Sequence, residues 1–277
     1  MMDFQSQSLT RRTHAWRDIL GIPVAVMTMH QVLDLLDKNI ATKSHMPIAF
    51  LNANNANIAG KRPELKQAFD HFLTFADGVG VDLASWALHG SMFPENLNGT
   101  DLVPGLLRKI KRPLKVGLIG ARREVADLAR DAFQSMCPQH KFIVVADGYF
   151  VQQDEARILA DLEVERPDIL LVAMGVPQQE LWITRSITSK HCTLPIAVGA
   201  LFDIFTGTIP RAPEWMLTLR VEWLYRLWRE PKRLWRRYII GNPVFIISII
   251  KAKLSGSSSA YGKELRDTPT IGDGVVF

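Results

Sequence analysis

Three stretches of this 277-residue chain hold side chains whose types and spacing suit chemistry. In Thr74-Phe-Ala-Asp-Gly-Val-Gly80, Asp77 follows an apolar run directly. A carboxylate delivered at such a point can act as a general base, and an Asp-Gly pair serves equally as a plain turn. Asp147-Gly-Tyr-Phe150 repeats the pattern, and spacing does not separate the two aspartates. The second stretch, Gly175-Val-Pro-Gln-Gln-Glu-Leu-Trp182, joins a tight turn to a helix start bearing two side-chain amides. Backbone N–H groups and amides together suit a phosphate or a sugar hydroxyl. A capped helix with solvated Gln and Glu explains the same residues.

The third stretch is basic and aromatic. Arg211, Arg220, Arg226, Arg229, Arg233, Arg236, Arg237 and Lys232 face only Glu214, Glu222 and Glu230 between positions 211 and 238. The segment's formal charge, +5, equals that of the whole chain, so the rest is neutral. Four of the seven tryptophans (Trp215, Trp223, Trp228 and Trp235) lie here too. Counted along one helix from Glu222, residues Arg226, Arg229, Arg233 and Arg236 share a face. Pro231 suits the first turn of a second helix, so the stripe is expected to bend. A diphosphate or an anionic membrane surface fits these arginines. Nucleic acid fits less well, because no recognition motif accompanies them.

The elements that position these groups alternate. Apolar runs at Ile19–Val24, Pro47–Leu51, Phe72–Phe75, Val116–Ile119, Phe142–Ala146, Asp168–Ala173 and Pro195–Val198 read as strands. Helical spacing appears at Met29–Ala41, Pro63–His71, Val81–His89, Leu102–Ile110, Glu124–Phe133, Asp154–Arg166 and from Pro177, with Thr100 or Asp101 placed to cap the fourth. Alternation of this kind predicts an α/β fold, a Rossmann-like parallel sheet with helices on both faces, plus a C-terminal basic helical appendage. Ligands then belong at the carboxyl ends of the strands. The polar clusters Asn52–Asn55, Asp77–Gly80, Gly120–Arg122, Gly175–Glu180 and Gly199–Asp203 occupy those ends. Residues 1–18 are expected to be a flexible N-terminus, 19–208 the α/β catalytic domain, 209–254 the appendage and 255–277 a disordered tail.

Composition narrows the class. Cys137 and Cys192 give no disulfide framework, and no histidine pair has metal-ligand spacing. No run approaches the ~20 apolar residues that a spanning helix needs, and the N-terminus lacks a signal-peptide core. The expected place is the cytoplasm. Gly117-x-x-Gly120 lacks the third glycine of a dinucleotide fingerprint.

With these residues assembled, the chain resembles the WecG/TagA/CpsF glycosyltransferase family between about Ile19 and Pro243. The resemblance rests on motifs in order: Ala76-Asp-Gly-x-Gly80, Asn98-Gly-x-Asp101, Gly175-x-Pro-x-Gln-Glu-x-Trp182, Val198-Gly-Ala-x-Phe-Asp203, Gly207-x-x-x-Arg-Ala-Pro-x-Trp215, Glu222-Trp-Leu-Tyr-Arg226 and Glu230-Pro-x-Arg233. It implies an inverting transferase that needs neither metal nor cofactor. Such an enzyme moves a sugar from a UDP donor to a saccharide on a polyprenyl diphosphate at the cytoplasmic membrane face. By the same resemblance Asp77 is the base, Gln179 belongs to the catalytic site, Asn52 or Asn54 lies beside them, and Arg226, Arg233 and Arg236 close over the donor's diphosphate. Gly78, Asn98, Asp101, Gly120, Gly175, Pro177, Glu180, Asp203 and Arg211 complete the expected substrate-binding set.

The chain departs from the family pattern at two points. Glu95-Asn-Leu-Asn98 stands where many members carry an arginine, and no threonine lies near Phe50 as in members known for N-acetylmannosamine transfer. This wording points to the exopolysaccharide branch, hence to β-glucosyl transfer onto lipid-linked glucose. The alternatives are N-acetylmannosaminyl or mannosaminuronyl transfer, and a non-catalytic adaptor that binds a nucleotide-sugar at the membrane.

Overall fold

The computed structural model describes residues 15–208, 212, 213, 216 and 222–255. Arg211, most of residues 1–18 and nearly all of the expected tail 255–277 therefore lie outside the described residues.

Within the stretch expected to be flexible, β1 (Trp16–Ile19) already pairs antiparallel with β2 (Ile22–Ala25). The single strand expected at Ile19–Val24 is thus a hairpin, because Leu20 (φ 57°) and Gly21 (φ 81°) both take the left-handed conformation that a two-residue loop needs. Arg17 fixes the hairpin to the body, donating to Ser85 Oγ at 2.7 Å and lying over the Phe93 ring.

The rest alternates: α1 (Met29–Ala41), β3 (Ile48–Leu51), α2 (Ala53–Ala59), α3 (Pro63–Phe69), β4 (Leu73–Ala76), α4 (Val79–His89), α5 (Gly99–Lys109), β5 (Lys115–Gly120), α6 (Arg123–Met136), β6 (Lys141–Ala146), α7 (Gln152–Glu165), β7 (Ile169–Ala173), α8 (Gln178–Ser186), β8 (Leu194–Ala197) and α9 (Leu201–Phe205). The six strands β3 to β8 form one parallel sheet in the order β4-β3-β8-β7-β5-β6.

Period-2 alternation along these strands divides the core in two. Ile48, Phe50, Val116, Leu118 and Leu171 pack with α1, α5, α6 and α9 on one face. Ala49, Leu51, Ile119, Leu170 and Val172 pack with α2, α3, α4, α7 and α8 on the other. Strands buried on both sides are apolar throughout, which is why they read as continuous runs.

The C-terminal stretch comprises α10 (Glu222–Arg229), α11 (Pro231–Trp235), a π-helical turn (Arg236–Ile240) and α12 (Gly241–Leu254). Glu230, with φ −131° and ψ 60°, breaks the helix just before Pro231, as a proline at the first helical position favours. Helix α12 packs against α2 and α4, burying Phe245 and Ile249 in the second core layer. None of the helices among the described residues is long and apolar enough to cross a membrane.

Two features open the carboxyl edge of the sheet. Pairing between β3 and β8 is reduced to Ile48↔Ile196. From β5 the chain leaves outward to β6, whereas the neighbouring β7 leads the other way to β8, so the order reverses between β5 and β7. Open parallel sheets bind ligands at such crevices.

Candidate active site

Asn52 and Asp77 lie at the ends of adjacent parallel strands. Leu51 is the register partner of Ala76, so the next residues stand side by side. The Asn52 side chain caps α2 by accepting from Asn55 N–H at 3.1 Å, and its Nδ2 donates to Asp77 Oδ2 at 3.2 Å. Gly78, at φ 90°, turns the chain sharply after Asp77 and caps α4, a conformation that favours glycine. Asn54 sits half-buried in the first turn of α2.

Burial raises the Asp77 carboxyl above its ordinary range. Its hydrogen bond from Asn52 and the charges of Arg226 and Arg237 pull the other way, while Glu222 pushes it up. The tail therefore lies over the strand ends. Arg226 is held by Glu222, with Nη2 to Oε1 at 2.7 Å.

A cleft of about 390 Å³ lies between the α9 end and the tail, lined by Asp203, Thr208, Tyr225, Arg226, Arg229, Glu230 and Arg233. Arg233 is paired with Glu230 at 2.7 Å. Burial raises the Asp203 carboxyl, opposed by Arg233 and by Arg122 from the β5 turn. Three guanidinium groups on one wall suit a diphosphate. A second cleft, of about 560 Å³, lies at the β5–β6–β7 ends where the strand order reverses, with Ala121, Tyr149, Phe150, Met174 and Trp182 among its lining. Arg122 follows Ala121 of this second cleft, and its charge acts on Asp203 of the first.

Gln179 braces the rim. Its Oε1 accepts from Gly175 N–H at 3.1 Å and from Gly199 N–H at 3.0 Å, tying the turn after β7 to the turn after β8. Its Nε2 donates to Glu180 Oε1 at 2.8 Å. Both side chains are buried, and the Glu180 carboxyl is pushed up to about 7 by burial. The solvated Gln and Glu considered from sequence are thus replaced by a buried pair. Pro177, preceded by a cis bond, occupies the N-cap position of α8.

Other expected site residues are occupied by the fold. Asn98, rather than Thr100 or Asp101, caps α5: it accepts from Asp101 N–H at 2.9 Å and donates to Asp101 Oδ2 at 2.8 Å. Gly120 (φ 127°) lets β5 close on β7, for a Cβ there would meet the Ala173 carbonyl carbon at 2.4 Å. Glu95 accepts from Met29 N–H at 2.8 Å, and Asn96 from Gly78 N–H at 2.7 Å. Phe50 is buried with its ring where a Cβ on Gly99 would come within 3.0 Å.

The expected stripe is broken at Glu230, between Arg229 and the pair Arg233 and Arg236. Arg236 is exposed and lies over the Trp235 ring, 5.3 Å from the centroid. An uninterrupted helix puts it in line with Arg226, Arg229 and Arg233. The break at Glu230 separates Arg226 and Arg229 from Arg233 and Arg236, and the wider π turn follows from Arg236. Arg122, Arg229 and Arg237 were not singled out as ligands from sequence. Arg122 carries a sequence signal in the Gly120–Arg122 cluster and Arg229 in the helical count, whereas Arg237 carries none.

The family model for the glycosyl transferase WecG/TagA/CpsF family matches residues 17–259. Among curated proteins, the chain is 31% identical over 248 residues to a Staphylococcus aureus protein, covering 85% of this chain and 92% of that one. It is 28% identical over 255 residues to one from Bacillus subtilis, covering 90% and 96%, and 27% identical over 249 residues to one from Bacillus spizizenii, covering 85% and 95%. All three are named N-acetylglucosaminyldiphosphoundecaprenol N-acetyl-beta-D-mannosaminyltransferase.

Proposed function

The chain belongs to the WecG/TagA/CpsF family of glycosyl transferases and is a hexosyltransferase, and from that premise we propose that it moves an N-acetylmannosamine-type sugar from a UDP donor to a diphosphate-linked N-acetylglucosamine on a polyprenyl carrier. The names of its relatives favour this reading over the glucosyl transfer expected from sequence. That expectation leaned on Glu95–Asn98 and on the neighbourhood of Phe50. Both serve the fold: Glu95 and Asn96 tie down Met29 and Gly78, Asn98 caps α5, and Phe50 is packed against Gly99. Residues committed in this way do not report the donor.

The observation that carries the mechanism is the Asn52–Asp77 contact beneath the arginine-rich tail. In an inverting transfer, the acceptor hydroxyl oxygen attacks the anomeric carbon while the bond to UDP breaks. Asp77 takes the hydroxyl proton, and the rise in its basicity on burial favours that role. Arg226, Arg229 and Arg233 neutralise the departing diphosphate, and the second cleft takes the nucleoside. Gln179 acts as a positioning residue, holding the Gly175 and Gly199 turns at the edge of the site.

The acceptor's lipid places the reaction at a membrane. Trp228 (73% exposed) on α10 and Ile246, Ile247 and Ile250 on α12 offer apolar surface beside Lys251 and Lys253, a combination suited to docking on an anionic membrane surface. We place the enzyme on the cytoplasmic face as a peripheral protein.

The deciding measurement is UDP release, with UDP-N-acetylmannosamine or UDP-glucose as donor and lipid-diphosphate N-acetylglucosamine or glucose as acceptor. Preference for the first donor with the first acceptor supports the reading. Preference for UDP-glucose and lipid-linked glucose overturns it in favour of the glucosyl branch.

A further inference from the structure

Helix α4 begins two residues after Asp77, and the face it turns to solvent is apolar. Val79, Leu83 and Trp86 recur at steps of four and three, so they form one row along the helix. Val79 is half-buried, Leu83 is 49% exposed and Trp86 is 59% exposed. Val81, Asp82, Ala84 and Ser85, between them, are buried. From Val79 to Trp86 the row runs about 10 Å. Other helices of the sheet domain show one exposed large apolar side chain at a time, as α6 does with Leu128 and α7 with Val164. A contiguous row marks a contact surface, whereas a single side chain needs no explanation.

Apolar surface continues past α4. Helix α12 packs against it, with Phe245 within 3.8 Å of where a Cβ on Gly80 would lie. On its other sides α12 exposes Ile246, Ile247 and Ile250. The row thus starts beside the reaction centre, on the body of the protein, and the exposed isoleucines belong to a helix lying against the same element. A plain contact with a bilayer has no need to start there. A lipid joined to the substrate does, because only a diphosphate and one sugar separate the carrier from the hydroxyl that Asp77 deprotonates.

We propose that Val79, Leu83 and Trp86 on α4 bind the first isoprene units of the acceptor's polyprenyl chain and lead it from the site towards the exposed isoleucines of α12. The inference rests on the transferase reading and adds to it the part of the body that holds the lipid. The row carries no charged side chain, so it suits an extended hydrocarbon and not a headgroup. Covering Leu83 and Trp86 with hydrocarbon takes two large apolar side chains out of water, enough to change acceptor affinity by about tenfold or more.

The test gives full-length protein UDP-N-acetylmannosamine and N-acetylglucosamine diphosphate carried either on undecaprenol or on a short alkyl chain. The wild type should have the lower KM for the undecaprenol form. Leu83→Gln with Trp86→Gln should narrow that preference by about tenfold or more, and Leu128→Gln on α6 should leave it in place. A photoreactive group in the first isoprene unit should label α4, read by mass spectrometry without turnover. The inference is overturned if the double variant loses rate equally on both acceptors or if the label falls outside α4. It is overturned in favour of a bilayer contact if the double variant binds acceptor-free anionic vesicles as weakly as Ile247→Asp with Ile250→Asp. A wild-type dimer that the double variant dissociates, seen by sedimentation, overturns it in favour of a second copy of this chain. If the wild type turns over neither acceptor and α4 is still labelled, the failure lies in the transferase reading and not in the lipid site.

Discussion

Asn52 donates its side-chain amide to Asp77 at 3.2 Å, across two adjacent strands whose parallel register sets the two residues side by side. The contact orients the carboxylate and partly offsets the effect of its burial. Asp77→Asn removes the proton acceptor and keeps the shape. Turnover should fall by about 10²-fold or more, with UDP binding by calorimetry unchanged. Near-wild-type UDP release would remove Asp77 from the role of base.

Arg226 and Arg233 line the smaller cleft from two helices, each paired with a glutamate of its own segment. A charge-assisted hydrogen bond contributes roughly 1.5–3 kcal/mol. Arg233→Gln should therefore raise the donor KM by about tenfold or more, with less effect on the acceptor. Arg233→Lys should recover only part of it, since a point charge lacks the bidentate fork. Initial-rate kinetics at varied donor concentration decide this.

Glu180 is buried with its carboxyl held up at about 7 from the ordinary 4.5. In the unfolded chain the group ionises near its ordinary value, so between 4.5 and about 7 the folded protein binds the extra proton. Its contribution to stability therefore falls as pH rises through that window and is level above it. Glu180→Gln keeps an acceptor for Gln179 and removes the ionisation. The variant should gain on the wild type as pH rises from 4.5 to 7, by at most about 3 kcal/mol. Denaturant unfolding of both proteins across this range measures the gap, and a gap independent of pH would refute the assignment.

Helix α12 has two faces with different duties. Phe245 and Ile249 are buried against the body, whereas Ile247 and Ile250 are 51% and 52% exposed. Phe245→Ala should cost about 3–5 kcal/mol and loosen the tail, seen as a lower urea midpoint and lost activity. The double change Ile247→Asp and Ile250→Asp should leave the midpoint nearly unchanged and weaken binding to anionic vesicles by about tenfold or more. Flotation of both variants with vesicles separates packing from docking. Equal vesicle binding by the aspartate variant and the wild type would remove this face from the membrane.

Much of the architecture is written in local pattern. Continuous apolar runs such as Ile169–Ala173 announce strands buried on both faces, and the polar residues that end them mark the ligand edge. Short features escaped that pattern. The β1–β2 hairpin reads from sequence as one strand because Leu20 gives no turn signal, and α2 gives no helical reading because Ala53–Ala59 is too short and polar to show a period. The cap of α5 fell on Asn98 because helix entry depends on where the chain leaves Leu97, whose N–H is bonded to Ala76 O at 2.9 Å.

The α/β class, the strand ends on which Asn52, Asp77, Gly175 and Gly199 gather, and the concentration of the chain's net charge in the tail can be read from residue order alone. These follow from periodicity and charge, which are properties of neighbours along the chain. Which of those groups face one another is set by packing between elements. Gln179 spends its amide on Gly175, Gly199 and Glu180, and Asn98 spends its own on Asp101. The arginine stripe is split in two because the chain breaks at Glu230, where an ideal helical count assumes one helix. A hydrogen bond or a facing charge depends on distances between elements far apart in sequence, and packing alone sets those distances.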